Sequence, residues 1–169
     1  MAETVNIVCP HCDATNRLPA ARDARAAKCG RCGQPLFTGQ PIDLTTARFR
    51  KHLVSSQIPI VADFWAAWCG PCKLVAPEME KLAANYEGAI DIVKVDVDAN
   101  PGLSRAFNIM SIPTIAFFAP GKQPMGVVGF RPMEQLETQF NLASFPKVAE
   151  AAQAEAAADA GTTAASDAA

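Results

Sequence analysis

The stretch Val61-Ala62-Asp63-Phe64-Trp65-Ala66-Ala67-Trp68-Cys69-Gly70-Pro71-Cys72-Lys73 decides how the rest of the chain is read. From Ile58 to Trp65 the sequence is apolar except at Asp63, the pattern of a central strand buried on both faces. The strand region runs out at Trp68, and Cys69 falls at the start of a helix whose first turn holds Gly70 and Pro71, where a missing proline N–H does no harm. A cysteine sulfur at a helix N-cap faces free N–H groups and the positive end of the helix dipole, which favour its thiolate. Cys72 follows one turn later, within reach of a mixed disulfide formed through Cys69. The other reading of this pair is a third metal half-site, which would lack a fourth pair to complete it.

Outward from this point, strands alternate with helices. A short strand is expected at Ile42 to Leu44, then a helix started by Thr45 or Thr46, the strand Ile58 to Trp65, and a helix from Gly70 to Tyr86. Next come a strand Ile90 to Val97, a short helix Pro101 to Phe107, and an apolar strand Thr114 to Phe118. A strand Val127 to Phe130 and a helix Pro132 to about Leu142 close the series, with Gly121 and Gly126 bracketing an antiparallel hairpin. The expected class is α/β, a central mixed sheet flanked by helices.

Upstream lie two more Cys-x-x-Cys pairs, Cys9/Cys12 and Cys29/Cys32, separated by a 16-residue spacer. Two such turns facing one another make a four-thiolate tetrahedron, so one structural zinc ion is expected at Cys9, Cys12, Cys29 and Cys32. Another soft metal or a redox-active dithiol pair are the alternatives. Gly33 suits a left-handed turn after the second pair, and His11 reads as a turn residue, although it could replace a ligand. So short a segment cannot bury enough apolar surface to fold alone, and metal would supply most of its folding free energy.

The chain has 169 residues, half of them hydrophobic, and a formal net charge of −2. Residues 1–40 carry Arg17, Arg22, Arg25, Lys28 and Arg31 against Glu3, Asp13 and Asp23. Four thiolates around zinc would neutralise that excess, and no aromatics interleave with it, so nucleic acid is not expected as a partner. No 18-residue apolar run and no secretory signal pattern appear, which points to a cytoplasmic protein without a membrane partner. In that compartment paired cysteines are read as metal ligands or redox catalysts. The Gly- and Pro-rich connector from Gly33 to Pro41 divides residues 1–39, a zinc-ribbon-like domain, from an α/β domain at 40–146. The acidic remainder, 147–169, is alanine-rich without an apolar stripe, and is expected to stay undocked.

The run from Val61 to Lys73 closely resembles the thioredoxin active site, and the resemblance extends from about Pro41 to Leu142, including Pro77 and Ser111-Ile112-Pro113-Thr114. With the two upstream pairs, the whole resembles the zinc-containing thioredoxins of bacteria. The resemblance implies a thioredoxin fold and a protein thiol-disulfide oxidoreductase, with disulfide-containing proteins as substrates and an NADPH-dependent thioredoxin reductase to recharge it. It implies no bound organic cofactor. Cys69 would be the exposed nucleophile, Cys72 the buried resolving thiol, and Trp68 a cover on one side of the pair. Asp63 would assist proton removal from Cys72, with Lys94 nearby. Independently, a carboxylate in an apolar strand should have a raised pKa. A water-facing acid at Asp63 and a solvated lysine at Lys94 are the plainer alternatives. Trp68, Gly70, Pro71, Ile112, Pro113 and Gly129 would form the docking surface, with a cis peptide before Pro113; an ordinary loop proline and strand glycine are the competing readings. Ala67, Met110 and Phe130 depart from the usual family residues and put partner choice in question. A zinc-dependent binding module on a thioredoxin scaffold, or a zinc-linked redox sensor, is the alternative function.

Overall fold

The computed structural model describes residues 3–148. Residues 149–169, and with them most of the segment expected to stay undocked, lie outside the described residues. Near the end of the described chain, Lys147 pairs with Glu137 at 2.7 Å and lies over the Tyr86 ring.

The N-terminal residues form an antiparallel hairpin, β1 (Thr4–Val8) with β2 (Thr15–Pro19), followed by a 3-10 turn at Ala24–Ala26. The sequence reading anticipated the two cysteine turns and not these strands, because alternation over five residues with so few large apolar side chains is a weak signal. Ile7, Leu18, Leu36 and Phe37 pack around Cys9 and Cys29, and Ile58 from the following domain completes this small core.

The α/β domain contains β3 (Ile42–Asp43), α1 (Thr46–Ser55), β4 (Ile60–Trp65), α2 (Gly70–Asn85), β5 (Asp91–Asp96), α3 (Pro101–Ala106), β6 (Thr114–Phe118), β7 (Met125–Val128) and α4 (Met133–Gln139). Its sheet runs β3-β5-β4-β6-β7, parallel between β3, β5 and β4 and antiparallel across β6 and β7, a thioredoxin fold. Alternation along β4 divides the core. Val61 faces the α2 and α4 layer with Val75, Met79, Leu82 and Phe140, whereas Ile60, Ala62 and Phe64 face the α1 and α3 layer with Phe49, Leu103 and Phe118. Asp63 shares the parity of Val61, so the pleat directs its side chain under α2.

Three elements differ from expectation by two residues or more, the others by one at most. The strand begins at Ile60 because Ile58 is drawn into the ribbon core and Pro59 has no N–H to give. The last strand is Met125–Val128, ended by Gly129 at φ 90°. The last helix stops at Gln139, where Asn141 turns left-handed (φ 52°) into a 3-10 turn at Leu142–Ser144. Among the described residues no helix is long and apolar enough to cross a membrane.

Candidate active site and metal centre

Cys69 is the N-cap of α2: its own backbone is extended (φ −85°, ψ 109°), and its Sγ accepts the Cys72 N–H at 3.3 Å. The two cysteines are joined in a disulfide, with Cα atoms 5.3 Å apart. Each is only 4% exposed, packed with Ala66, Trp65, Val97 and Ile112. The contrast of an exposed nucleophile with a buried partner is therefore absent from this oxidised form. Gly70 and Pro71 sit exposed in the first helical turn.

Trp68 is 71% exposed, and its Nε1 donates to Asp98 Oδ2 at 2.8 Å. With Val97, Ile109, Met110, Ser111 and Ile112 it lines an open recess of about 370 Å³ beside the disulfide. Asp98 escaped the sequence reading, since nothing in its neighbourhood marks which of several loop acids would meet an indole 30 residues away.

Asp63 is fully buried, and neither carboxylate oxygen has a hydrogen-bond partner. Burial pushes its pKa up to about 7, and the positive charge of Lys94 opposes that rise. Lys94 is the register partner of Asp63 across β4 and β5, and its Nζ lies 4.8 Å from the Trp65 ring centroid. Asp63, Lys94 and Cys72 share one cavity of about 140 Å³ with Trp65, Ala66, Ala67, Lys73 and Ala76. A cavity of that size with a polar floor accommodates water, which suits proton exchange between a carboxyl and a thiol that do not touch. The water-facing alternative for Asp63 is excluded by its burial.

The Ile112–Pro113 peptide is cis. Pro113 accepts a hydrogen bond from Gly129 N–H at 2.8 Å, tying the loop to the end of β7. Gly129 needs to be glycine for its backbone (φ 90°) more than for space, since a Cβ there would meet only Arg131 Nη1 at 3.6 Å. It lies beside the cis peptide and outside the recess lined by Trp68.

At the other site, Cys9, Cys12, Cys29 and Cys32 bring their four sulfurs within 4.8 Å of one another. Cys9 and Cys32 are 3.7 Å apart and Cys12 and Cys29 3.6 Å. A tetrahedron with metal–sulfur bonds of about 2.3 Å has edges of about 3.8 Å, so the cluster fits a single zinc ion. The N–H groups of His11 and Arg31 point at Cys9 and Cys29 Sγ, each at 3.4 Å, as thiolates require. Backbone N–H from Cys32 is the largest influence on Cys29 and, with Arg31 and the Asn16 amide, brings its pKa down to about 6, whereas burial pushes Cys9 up to about 12. Four sulfurs so close cannot all ionise without a cation among them. Gly33 is left-handed as expected (φ 74°), and His11 is exposed and outside the cluster.

An N-cap disulfide beside a cis-proline loop, with a buried carboxylic acid behind it, defines a centre for thiol-disulfide exchange. The same conclusion comes from comparison: residues 40–142, more than half of the chain, match the thioredoxin family model, and the chain belongs to the thioredoxin family. It is accordingly a protein-disulfide reductase. Residues 8–34 match the zinc ribbon model described as "Thioredoxin 2, N-terminal". A thioredoxin of Staphylococcus aureus is 53% identical over 95 residues, covering 56% of this chain and 89% of that one. Thioredoxin C-3 of Corynebacterium nephridii is 42% identical over 109 residues, covering 64% and 74%. A crystal structure of chloroplastic thioredoxin z, 32% identical, superimposes with a TM-score of 0.57 over 62% of this chain and 96% of that one.

Proposed function

We propose that the chain reduces disulfides of protein substrates through Cys69 and Cys72 and is recharged by an NADPH-dependent thioredoxin reductase in the cytoplasm. The observation that carries this reading is the placement of Cys69 at the α2 N-cap with Cys72, Asp63 and Lys94 around one cavity behind it. In the reduced protein the Cys69 thiolate attacks a substrate disulfide, forming a mixed disulfide and releasing one substrate thiolate. Cys72, deprotonated toward Asp63 through water, then attacks Cys69 Sγ. The second substrate thiolate leaves, and the enzyme is left with the Cys69–Cys72 disulfide, so two electrons have passed to the substrate. An acid with a pKa of about 7 is suited to hold and return that proton near neutrality. Lys94 keeps the pKa from rising further. Trp68, Gly70, Pro71, Ile112, Pro113 and Gly129 form the substrate-facing surface, where backbone groups of the cis-proline loop pair with an extended segment.

One zinc ion held by Cys9, Cys12, Cys29 and Cys32 serves structure: it ties together the two cysteine turns of the ribbon, residues 1–39, which precedes the catalytic domain, residues 40–146. The test is NADPH consumption with thioredoxin reductase and insulin. Wild type should turn over and Cys69→Ser should not; equal rates for the two would overturn the assignment of Cys69.

A further inference from the structure

The two cysteine turns of the ribbon share one backbone shape, and they differ in which residue takes its left-handed position. In each, the residue after the second cysteine is left-handed, Asp13 at φ 59° and Gly33 at φ 74°. Its N–H bonds the carbonyl of the first cysteine, at 3.0 Å from Asp13 to Cys9 and 2.9 Å from Gly33 to Cys29. The first cysteine's N–H in turn bonds the residue beyond, Ala14 at 2.9 Å and Gln34 at 2.8 Å. Gly33 adopts this shape without strain and with nothing within 4 Å of a would-be Cβ. Asp13 carries a side chain into it and sets a carboxylate next to a thiolate ligand. Among the described residues, the first turn also has partners outside the ribbon that the second lacks.

What holds it comes from the other domain. Arg48, on α1, donates through Nε to both Asp13 carboxylate oxygens at 3.1 and 3.0 Å, and through Nη2 to the carbonyl of Pro10, inside the Cys9–Cys12 turn itself. One turn further along α1, the fully buried His52 places Nε2 3.4 Å from Asp13 Oδ1 and Nδ1 3.8 Å from Asp91 Oδ2, at the start of β5. The second turn is braced within the ribbon, by Asn16, whose amide donates to Cys29 Sγ at 3.5 Å and whose oxygen accepts the Gly30 N–H at 2.9 Å.

We propose that Arg48 is a positioning residue of the zinc centre: by gripping Asp13 and the Pro10 carbonyl together, it holds the first Cys-x-x-Cys turn in its metal-binding shape, so the metal affinity of the ribbon is set in part by the catalytic domain. The proposal rests on the reading of the four cysteines as a zinc site. A contact that merely joined two domains would need the Asp13 carboxylate and not a carbonyl between two ligands. The guanidinium fork presents its Nε and Nη2 donors to both acceptors in one fixed geometry, whereas an ammonium is a compact charge on a flexible stem.

The test is zinc affinity of the full chain, by competition with a chromophoric chelator, with circular dichroism to establish folding. Arg48→Ala should weaken zinc about 10- to 100-fold, the usual cost of losing an outer-shell partner. Adding Asp13→Gly should restore affinity to within about threefold of wild type, because the carboxylate that has lost its guanidinium partner, and keeps only the longer His52 contact, is removed together with the left-handed non-glycine residue. Should Arg48→Ala not fold, Arg48→Lys retains the charge without the fork and should still lose affinity. Wild-type affinity in either folded variant, or an equal loss with and without Asp13→Gly, would overturn the proposal while leaving the zinc site in place. Absence of zinc binding in the wild type itself would overturn both.

Discussion

Asp63 is the residue at which stability and chemistry pull in different directions. Buried without a hydrogen bond, it has a native pKa of about 7, against an unfolded value near 3.8. Between those values the native protein holds a proton that the unfolded chain has released. Its stabilising contribution is therefore full below about pH 4 and is lost as pH rises through about 7, a fall of roughly 4 kcal/mol. Urea unfolding of wild type from pH 4 to pH 8 should show this decline, and Asp63→Asn should flatten it and be the more stable protein at pH 8. A variant with the unchanged pH slope would mean that another group titrates. In the reaction the variant should lose turnover most above pH 7, where Asp63 is ionised and able to accept the Cys72 proton. The lone carboxylate was legible in the sequence as a break in an apolar strand. Its pairing with Lys94 was visible only by resemblance, since register across two strands is not written in either strand alone.

At the level of elements, α2 was the clearest feature of the sequence because its start is chemically marked: a capping sulfur, a glycine and a proline in succession. The ends of β7 and α4 were less legible. Both are terminated by left-handed residues, Gly129 and Asn141, whose conformations serve neighbouring loops rather than their own elements. Gly129 joins β7 to the cis-proline loop through its N–H to the Pro113 carbonyl. Gly129→Ala should cost about 1–2 kcal/mol from the backbone conformation alone, measurable as a lowered urea midpoint. It should also raise KM for insulin more than it lowers kcat, because the loop it anchors belongs to the proposed docking surface and supplies none of the reacting groups. An unchanged KM would remove Gly129 from the docking surface.

On the scale of the molecule, two cysteine chemistries are kept apart by their surroundings. In the ribbon, four sulfurs face one another in a single cluster. In the catalytic domain, two sulfurs meet only each other at the mouth of a helix. The spacing of the pairs separated these roles in the sequence. The join between domains was not legible there: Ile58 filling the ribbon core, Gln57 exchanging hydrogen bonds with Asn6, 51 residues away, and Arg48 gripping Asp13, 35 residues away, link distant positions with no periodic signal between them. Aligning the two cysteine turns would have exposed Asp13, standing where the second has glycine, but not its partner.

The central claim is that substrate disulfides are attacked by Cys69 and by no other of the six cysteines. Incubating zinc-loaded Cys72→Ser with a disulfide-bonded protein and mapping the product by mass spectrometry tests it directly. A mixed disulfide on Cys69, released by dithiothreitol, is the predicted result. An adduct on Cys32, the exposed cysteine of the metal cluster, with Cys69 unmodified would contradict the account.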